Sequence, residues 1–168
     1  DPAERTALVG HESLLLGAPP SLTLTELAQR AGTSMEVAQK FWRAMGFADV
    51  QPDEVRFTDQ DVAALQDTVA LLDETSDSSL ASASALELLR AQSYTMDRLV
   101  LWQLETFVTD LSERLGLDDT AARLVALDRI DGLVELLSRQ LTYVWRRHMA
   151  SILGRTDAEV STRGREDA

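Results

Sequence analysis

Residues 24–47 read LTELAQRAGTSMEVAQKFWRAMGF, and this stretch decides the fold of the first part of the chain. A first helix with one apolar face is indicated by Leu27, Ala28 and Ala31. A second helix with an apolar face is indicated by Val37, Phe41 and Met45. Gly32 lies between them and permits a tight turn. The segment therefore has the pattern of a helix-turn-helix.

Hydroxyl residues mark the starts of these two helices. Thr23 and Glu26 have the spacing of a capping box, in which each side chain accepts a hydrogen bond from the other residue's backbone N–H. Thr33 and Glu36 repeat the spacing before the second helix. We expect the first helix to span Leu24–Ala31 and the second to begin after the turn.

The second helix is expected to end near Met45, where glycine follows. Residues 47–57 include Pro52 and are expected to form a loop with a short hairpin. Thr58 then has the position of a cap for a helix from Asp59 to about Leu72. This loop and helix resemble the wing and following helix of MerR-type modules.

The remainder of the chain indicates long helices. All four prolines lie within the first 52 residues, and Leu, Ala, Arg and Glu dominate afterwards. We expect helices over residues 3–16, 80–115 and 120–153, with Gly116–Asp119 as the turn between the last two and Asp118-Asp119 as helix caps. The fold class is all-α: a helix-turn-helix-like N-terminal module followed by a dimerising bundle of long helices.

Composition shifts suggest four segments. Residues 1–72 form the helical module, and the polar stretch 73–79 forms a linker. Residues 80–155 form the long-helix bundle and dimerisation region. Residues 156–168 are expected to be a frayed tail or a linker to a further, catalytic domain.

The totals exclude several kinds of site. The chain has 168 residues, no cysteine and two histidines, so disulfides, thiolate catalysis and recognisable zinc centres are excluded. Its eight glycines are scattered, and no phosphate-binding loop is present. We therefore expect no metal, no catalytic residues and no cofactor in this chain. The absence of cysteine and of an apolar run of membrane-spanning length suits a cytoplasmic location.

Charge weighs against nucleic-acid binding. Major-groove recognition would use Gln39, Lys40 and Arg43 of the second helix. However, residues 21–65 contain four basic and seven acidic residues, and the whole chain has a net charge of −12. Because affinity for DNA depends on contacts with several phosphates, the interpretation as a scaffold is favoured and nucleic acid is not an expected partner.

The helix near the C-terminus has the opposite charge. Residues 136–156 contain four arginines and no acidic residue. One apolar stripe is formed by Leu137, Leu141, Val144, His148 and Ile152. Imidazole titrates in the physiological range, so His148 within an interface has the design of a pH switch. The alternative is an ordinary histidine at the boundary of a core.

The preceding long helix offers a candidate lipid site. Its apolar residues include Met96, Leu99, Val100, Trp102, Leu104 and Phe107. A bundle with this interior has the character of a fatty-acid pocket, with an arginine as partner for the head group. The alternative is that these residues are only core.

Three segments carry a family resemblance: FWRAMGF at 41–47, LVLWQ at 99–103 and YVWRRHM at 143–149. Together they resemble the N-terminal regulatory domain of actinobacterial class III adenylate cyclases of the soluble, pH-responsive kind. The resemblance implies an all-helical, homodimeric, non-catalytic domain. It also implies a catalytic domain in the same polypeptide that makes cyclic AMP, and fatty acid as a candidate ligand.

The resemblance also implies which residues take part in switching. The candidates are Arg146, Arg147, His148 and Met149. The alternative function is a MerR-like transcriptional regulator whose helical half dimerises and senses a ligand. The sequence leaves open the ligand, the direction of regulation and the geometry of the dimer.

Overall fold

The computed structural model describes residues 10, 11, 13–72 and 81–166. Two strands, β1 and β2, and five helices, α1–α5, are defined within these residues. They are β1 (Leu22–Thr23), α1 (Leu24–Ala31), α2 (Met35–Ala44), β2 (Val55–Phe57), α3 (Asp59–Leu72), α4 (Ser82–Leu115) and α5 (Asp119–Glu166). The predicted all-α class is confirmed, since the strands contribute only five residues.

The capping box at the start of α1 is confirmed. The Thr23 hydroxyl accepts a hydrogen bond from the Glu26 backbone N–H at 3.2 Å, and the Glu26 carboxylate accepts one from the Thr23 backbone N–H at 2.8 Å. At the other end, Gly32 has φ +72°, a conformation that favours glycine. The helix therefore has the predicted bounds.

The predicted cap of α2 is wrong by one residue. Ser34 is the N-cap, and its hydroxyl accepts a hydrogen bond from the Val37 backbone N–H at 3.2 Å. Thr33 instead closes α1, since its backbone N–H donates to the Ala28 carbonyl at 3.0 Å. Glu36 is consequently the second residue of α2, one position too early for the carboxylate of a capping box.

The predicted hairpin within residues 47–57 is also wrong. β2 pairs antiparallel with β1, so its partner precedes α1 in the chain. The Ser21 backbone N–H donates to the Phe57 carbonyl at 2.9 Å and extends this pairing. Two separate extended segments satisfy each other's backbone groups here. The helix after β2 begins at Asp59, as predicted.

The first core joins both strands to α1, α2 and α3. Its buried residues are Leu22, Leu24, Leu27, Ala28, Ala31, Ala38, Phe41, Trp42, Val50, Phe57 and Leu65. The rings of Trp42 and Phe57 meet edge to face, with centroids 4.9 Å apart. The Trp42 indole N–H donates to the Ala48 carbonyl at 2.9 Å, so this polar group has a hydrogen-bond partner within the core.

A second, smaller core lies at the turn between α4 and α5. It contains Val108, Leu111, Ala122 and Ala126. Gly116 adopts φ +64° and ends α4, and the Asp118 carboxylate accepts a hydrogen bond from the Ala121 backbone N–H at 2.8 Å. The predicted turn and the predicted Asp118 cap are therefore both confirmed.

The chain divides into two compact units, Asp1–Ala126 and Leu127–Ala168. In its described residues the second unit consists of a single helical segment of α5, so no helix bundle forms within that unit. None of the described helices is both long enough and apolar enough to cross a membrane.

The end of α5 corrects one expectation. Helix was expected to end near Leu153, but it continues to Glu166. Hydroxyls at Thr156 and Thr162 donate to the carbonyls of Ile152 and Ala158, one turn earlier, and remain within the helix. Gly154 does not interrupt it, because an interior glycine lowers helix stability by only about 1 kcal/mol.

Two expectations fall partly or wholly outside the described residues. Residues 10, 11 and 13–15 are helical, and Gly17 follows with φ +77°, but most of the expected helix over residues 3–16 lies outside the described part. The expected linker at 73–79 also lies outside it.

Candidate regulatory site

The four switch candidates lie on one exposed stretch of α5. Consecutive residues of a helix are separated by about 100°, so Arg146, Arg147, His148 and Met149 point in four different directions. All four are exposed, and a shallow depression beside them is lined by Arg147, His148, Ala150 and Ser151. The structure therefore brings them together along the helix and not around an enclosed cavity.

Positive charge at this site is largely uncompensated. Arg139 pairs with Glu135 at 3.4 Å, and the Arg155 guanidinium donates to the Ser151 hydroxyl at 3.2 Å. Among the described residues, Arg146 and Arg147 form no ion pair. Their guanidinium groups are available for an acidic or phosphate-bearing partner.

Large apolar side chains accompany these arginines. Tyr143 and Trp145 are 66% and 57% exposed, and Ile152 and Leu153 are also exposed. Exposed aromatic residues beside arginine are typical of the central part of protein interfaces. The chemistry of this stretch is therefore that of a contact surface.

The candidate lipid residues lie along α4, in the first unit. Met96, Val100 and Trp102 are exposed, whereas Leu99, Leu104 and Phe107 are partly buried. Phe107 packs against the core at the α4–α5 turn. Trp102 follows Met96 by six residues, which places it about 120° around the helix from Met96. Five of the six residues thus share one side of α4, and Trp102 lies apart.

The basic residues proposed for DNA contacts are held by carboxylates. Lys40 pairs with Glu36 at 2.6 Å, and Arg43 donates to Asp49 at 2.7 Å. The hydrogen bond from Lys40 lowers the pKa of Glu36, and the one from Arg43 lowers the pKa of Asp49. Gln39 on the same helix is partly buried. Phosphate binding here would require breaking both ion pairs.

Two positioning contacts were missed by the sequence analysis. The Ser93 hydroxyl of α4 donates to the Met45 carbonyl, at the end of α2, at 2.7 Å. Arg123 forms a two-pronged ion pair with Glu105 at 2.9 and 3.1 Å and also bonds to Asp119. The Glu105 and Asp119 carboxylates raise the pKa of Arg123.

Of these contacts, only the Arg123–Asp119 pair is indicated by the sequence. Asp119 and Arg123 are four residues apart on a helix, the spacing of a favourable pair. Glu105 and Ser93 meet residues far away in the sequence, which no local pattern indicates. Within residues 10, 11, 13–72 and 81–166, no group of three potential metal ligands is found.

Comparison with known proteins identifies three relatives that are named adenylate cyclases. No protein-family model matches it. It is 32% identical over 160 residues to an adenylate cyclase of Glutamicibacter nicotianae, an alignment that includes 95% of this chain and 39% of that protein. It is 36% identical over 157 residues to an adenylate cyclase of Streptomyces coelicolor and 33% identical to one of Streptomyces griseus.

The coverage of these matches is uneven. Both Streptomyces alignments include 92% of this chain, but only 39% and 38% of the respective relatives. The chain thus spans about two fifths of the length of each curated relative. It is related over nearly its whole length to one region of actinobacterial adenylate cyclases, as the sequence analysis predicted.

Proposed function

We propose, from this relationship to actinobacterial adenylate cyclases, that the chain is the regulatory region of such an enzyme and is not itself catalytic. In this proposal a catalytic domain in the same polypeptide makes cyclic AMP, and the chain controls its rate. One observation carries the proposal: three relatives match 92–95% of this chain while about three fifths of each lies outside the match. That remaining length has room for a separate catalytic domain.

The fold supports a regulatory role. The first unit has two cores, and the second unit presents a helix with exposed aromatic and apolar side chains. An exposed helical surface of this kind can pack against either of two alternative partners. A switch requires two such packed states of similar free energy.

The most direct test compares the full-length parent protein with a version lacking all 168 residues of this chain. Both proteins are assayed for cyclic AMP production from ATP between about pH 5.5 and 8, around the reference value for histidine. A regulatory region changes the rate or the pH profile when it is removed. Identical profiles, or a parent that makes no cyclic AMP at any pH, contradict the proposal.

The proposed stimulus is pH, acting through His148. Protonation adds a positive charge to the apolar stripe that includes Val144 and Ile152, and a buried interface disfavours such a charge. Among the described residues of its own unit no second element packs against His148, and the charged groups nearest in sequence are Arg146, Arg147 and Arg155. All three are positive, so a proton on His148 adds to a charge of the same sign.

A fatty acid is the second proposed stimulus. The acyl chain contacts the side of α4 that carries Met96, Val100 and Leu104, and an arginine binds the carboxylate. Trp102 lies on the other side of α4, so a reporter is placed at the exposed Val100 by the double substitution Val100→Trp, Trp102→Phe. Titration of this variant with a long-chain fatty acid is expected to change its fluorescence more than that of Trp102→Phe alone. Equal fluorescence changes in the two variants contradict lipid binding at this side of α4.

The helix-turn-helix formed by α1 and α2 is proposed to serve as a scaffold. The ion pairs Lys40–Glu36 and Arg43–Asp49 support this assignment, because each occupies a basic side chain that major-groove recognition would use. The homodimer and the catalytic domain are the partners in this proposal, and nucleic acid is not.

A further inference from the structure

The second unit carries an uninterrupted heptad pattern. Starting at its first residue, apolar or imidazole side chains recur at intervals of three and four residues: Leu127, Ile130, Val134, Leu137, Leu141, Val144 and His148. These intervals define alternating a and d positions, with Leu127, Val134, Leu141 and His148 at a. A repeat of 3.5 residues is the pattern of a helix that supercoils with another helix.

Among the described residues of Leu127–Ala168 there is one helix and no second element that covers this stripe. Leu127 and Val144 are 47% and 42% exposed, and the four stripe residues between them are partly buried. Helices in proteins gain most of their stability from packing of an apolar face. The stripe therefore requires a covering surface.

The positions of the charges indicate that the stripe is covered by α5 of a second copy of the chain. Arg139 and Arg146 fall at f positions, on the side opposite the stripe. The flanking e and g positions of residues 127–148 are Asp131, Leu133, Ser138, Gln140, Trp145 and Arg147. In a parallel pair the g position Arg147 lies opposite the next e position, Ile152, and not opposite an arginine. Two copies can thus meet along the stripe without bringing their arginines together.

The polar residue at position a selects orientation and register. In a parallel, in-register pair, His148 faces His148 of the second copy, and every other layer is apolar. An antiparallel or shifted pair places each imidazole against an apolar layer, at the cost of an unsatisfied polar group. A single polar a residue is known to fix register in this way. The next a position is Arg155, where two like charges limit further pairing.

We propose that residues 127–148 of α5 form a parallel, in-register, two-stranded coiled coil with a second copy of this chain. The paired segment is about 33 Å long, from 22 residues at a rise of 1.5 Å. The inference specifies the interface of the homodimer and rests on that part of the proposed function. It makes no use of cyclic AMP synthesis.

Disulfide trapping tests this arrangement in the 168-residue chain, which has no cysteine of its own. Leu137→Cys and Val144→Cys place a thiol at two d positions, where identical residues face each other in the proposed pair. Leu136→Cys and Tyr143→Cys are the matched controls, one residue earlier at c positions. Under mild oxidation both d variants are expected to form covalent dimers at least tenfold faster than the c variants.

The orientation is decided by comparing the two d variants. An antiparallel pair brings identical residues together at one crossing level only, so trapping at one d position but not the other overturns the parallel arrangement. Equal trapping at c and d positions, or no trapping at all, overturns the interface.

Sedimentation equilibrium provides an independent measurement. The unmodified chain is expected to be a dimer, and Leu141→Arg to be a monomer because it places charge in an a layer. Leu136→Arg adds the same charge at an exposed c position and is expected to remain dimeric. Circular dichroism reports whether each variant keeps its helices. A monomeric unmodified chain contradicts the inference.

The two proposals fail separately. Trapping at both d positions in a protein whose parent makes no cyclic AMP leaves the coiled coil standing and removes the cyclase assignment. If no disulfide forms at the d positions but the chain regulates cyclic AMP production normally, the coiled coil is removed and the cyclase assignment stands.

Discussion

The Ser93 hydroxyl donates a hydrogen bond to the Met45 backbone carbonyl at 2.7 Å, and this contact ties α4 to the end of α2. The two residues are 48 positions apart. The contact satisfies a carbonyl at the C-terminus of a helix, where backbone acceptors lack partners within the helix. It is therefore a direct link between the N-terminal module and the long helix that follows.

We expect Ser93→Ala to lower the free energy of unfolding by about 1 kcal/mol, because the Met45 carbonyl loses its donor. Urea denaturation followed by circular dichroism measures the change. Ser138→Ala is the control, since Ser138 is exposed on α5. An equal decrease in the free energy of unfolding for both variants would show that the Ser93 hydrogen bond does not stabilise the fold more than an exposed serine does.

Leu65→Ala is expected to destabilise the first core by about 2–5 kcal/mol. Leu65 is fully buried in the first core, and truncation leaves a cavity there. Leu124→Ala is the matched control, because Leu124 is 64% exposed. Thermal unfolding of both variants tests the difference. A Leu65→Ala protein as stable as the control is incompatible with the described core.

Glu26→Gln is expected to reduce the loss of stability in acid. Hydrogen bonds from the backbone and hydroxyl of Thr23 lower the pKa of Glu26 in the folded state. A lowered pKa stabilises the fold above the unfolded value of about 4.3, and this contribution disappears as the pH falls through the folded pKa.

Unfolding measured between about pH 6 and 3 reports this effect across the reference pKa of glutamate. The variant lacks the titrating carboxylate, so its stability falls less steeply than that of the unmodified chain. Glu113→Gln, at an exposed site on α4, is the control for the loss of one carboxylate. An unchanged slope for Glu26→Gln removes the capping box as a source of acid sensitivity.

The chain is expected to show no salt-dependent complex with double-stranded DNA. Titration of labelled duplex from about 50 to 200 mM salt measures this, because phosphate contacts weaken steeply over that range. A tight complex at low salt that Arg43→Ala and Lys40→Ala both weaken would revive the transcriptional regulator as the function.

His148→Ala in the full-length parent is expected to flatten or shift the pH profile of cyclic AMP production. The substitution removes the imidazole from the apolar stripe and leaves the flanking arginines in place. His11→Ala is the matched control, since it removes the other histidine of the chain. A profile that changes with His11 and not with His148 would relocate the switch to the first unit.

Local patterns in the sequence were sufficient for most of the helices. Thr23, Glu26 and Gly32 define both ends of α1, since capping and left-handed glycine involve residues only a few positions apart. The turn at Gly116 and the cap at Asp118 follow from the same kind of local interaction. The residues of the proposed switch were likewise chosen from their spacing on one helix.

Where two interactions competed for one residue, the local pattern was insufficient. Thr33 has the spacing of a cap, but its backbone N–H is used to close α1, and Ser34 takes over the cap. The end of α5 was also misjudged, because composition alone did not distinguish a frayed tail from helix continuing to Glu166.

The sequence by itself determined the all-α class, the starts of most helices and the apolar stripe of α5, because these depend on residues within one or two helical turns of each other. Only the tertiary structure decided that β2 pairs with β1, that Ser93 bonds to Met45 and that Arg123 pairs with Glu105. Such contacts join residues 18 to 48 positions apart. Their geometry is fixed by how the helices pack, and packing depends on side-chain shapes from several segments at once.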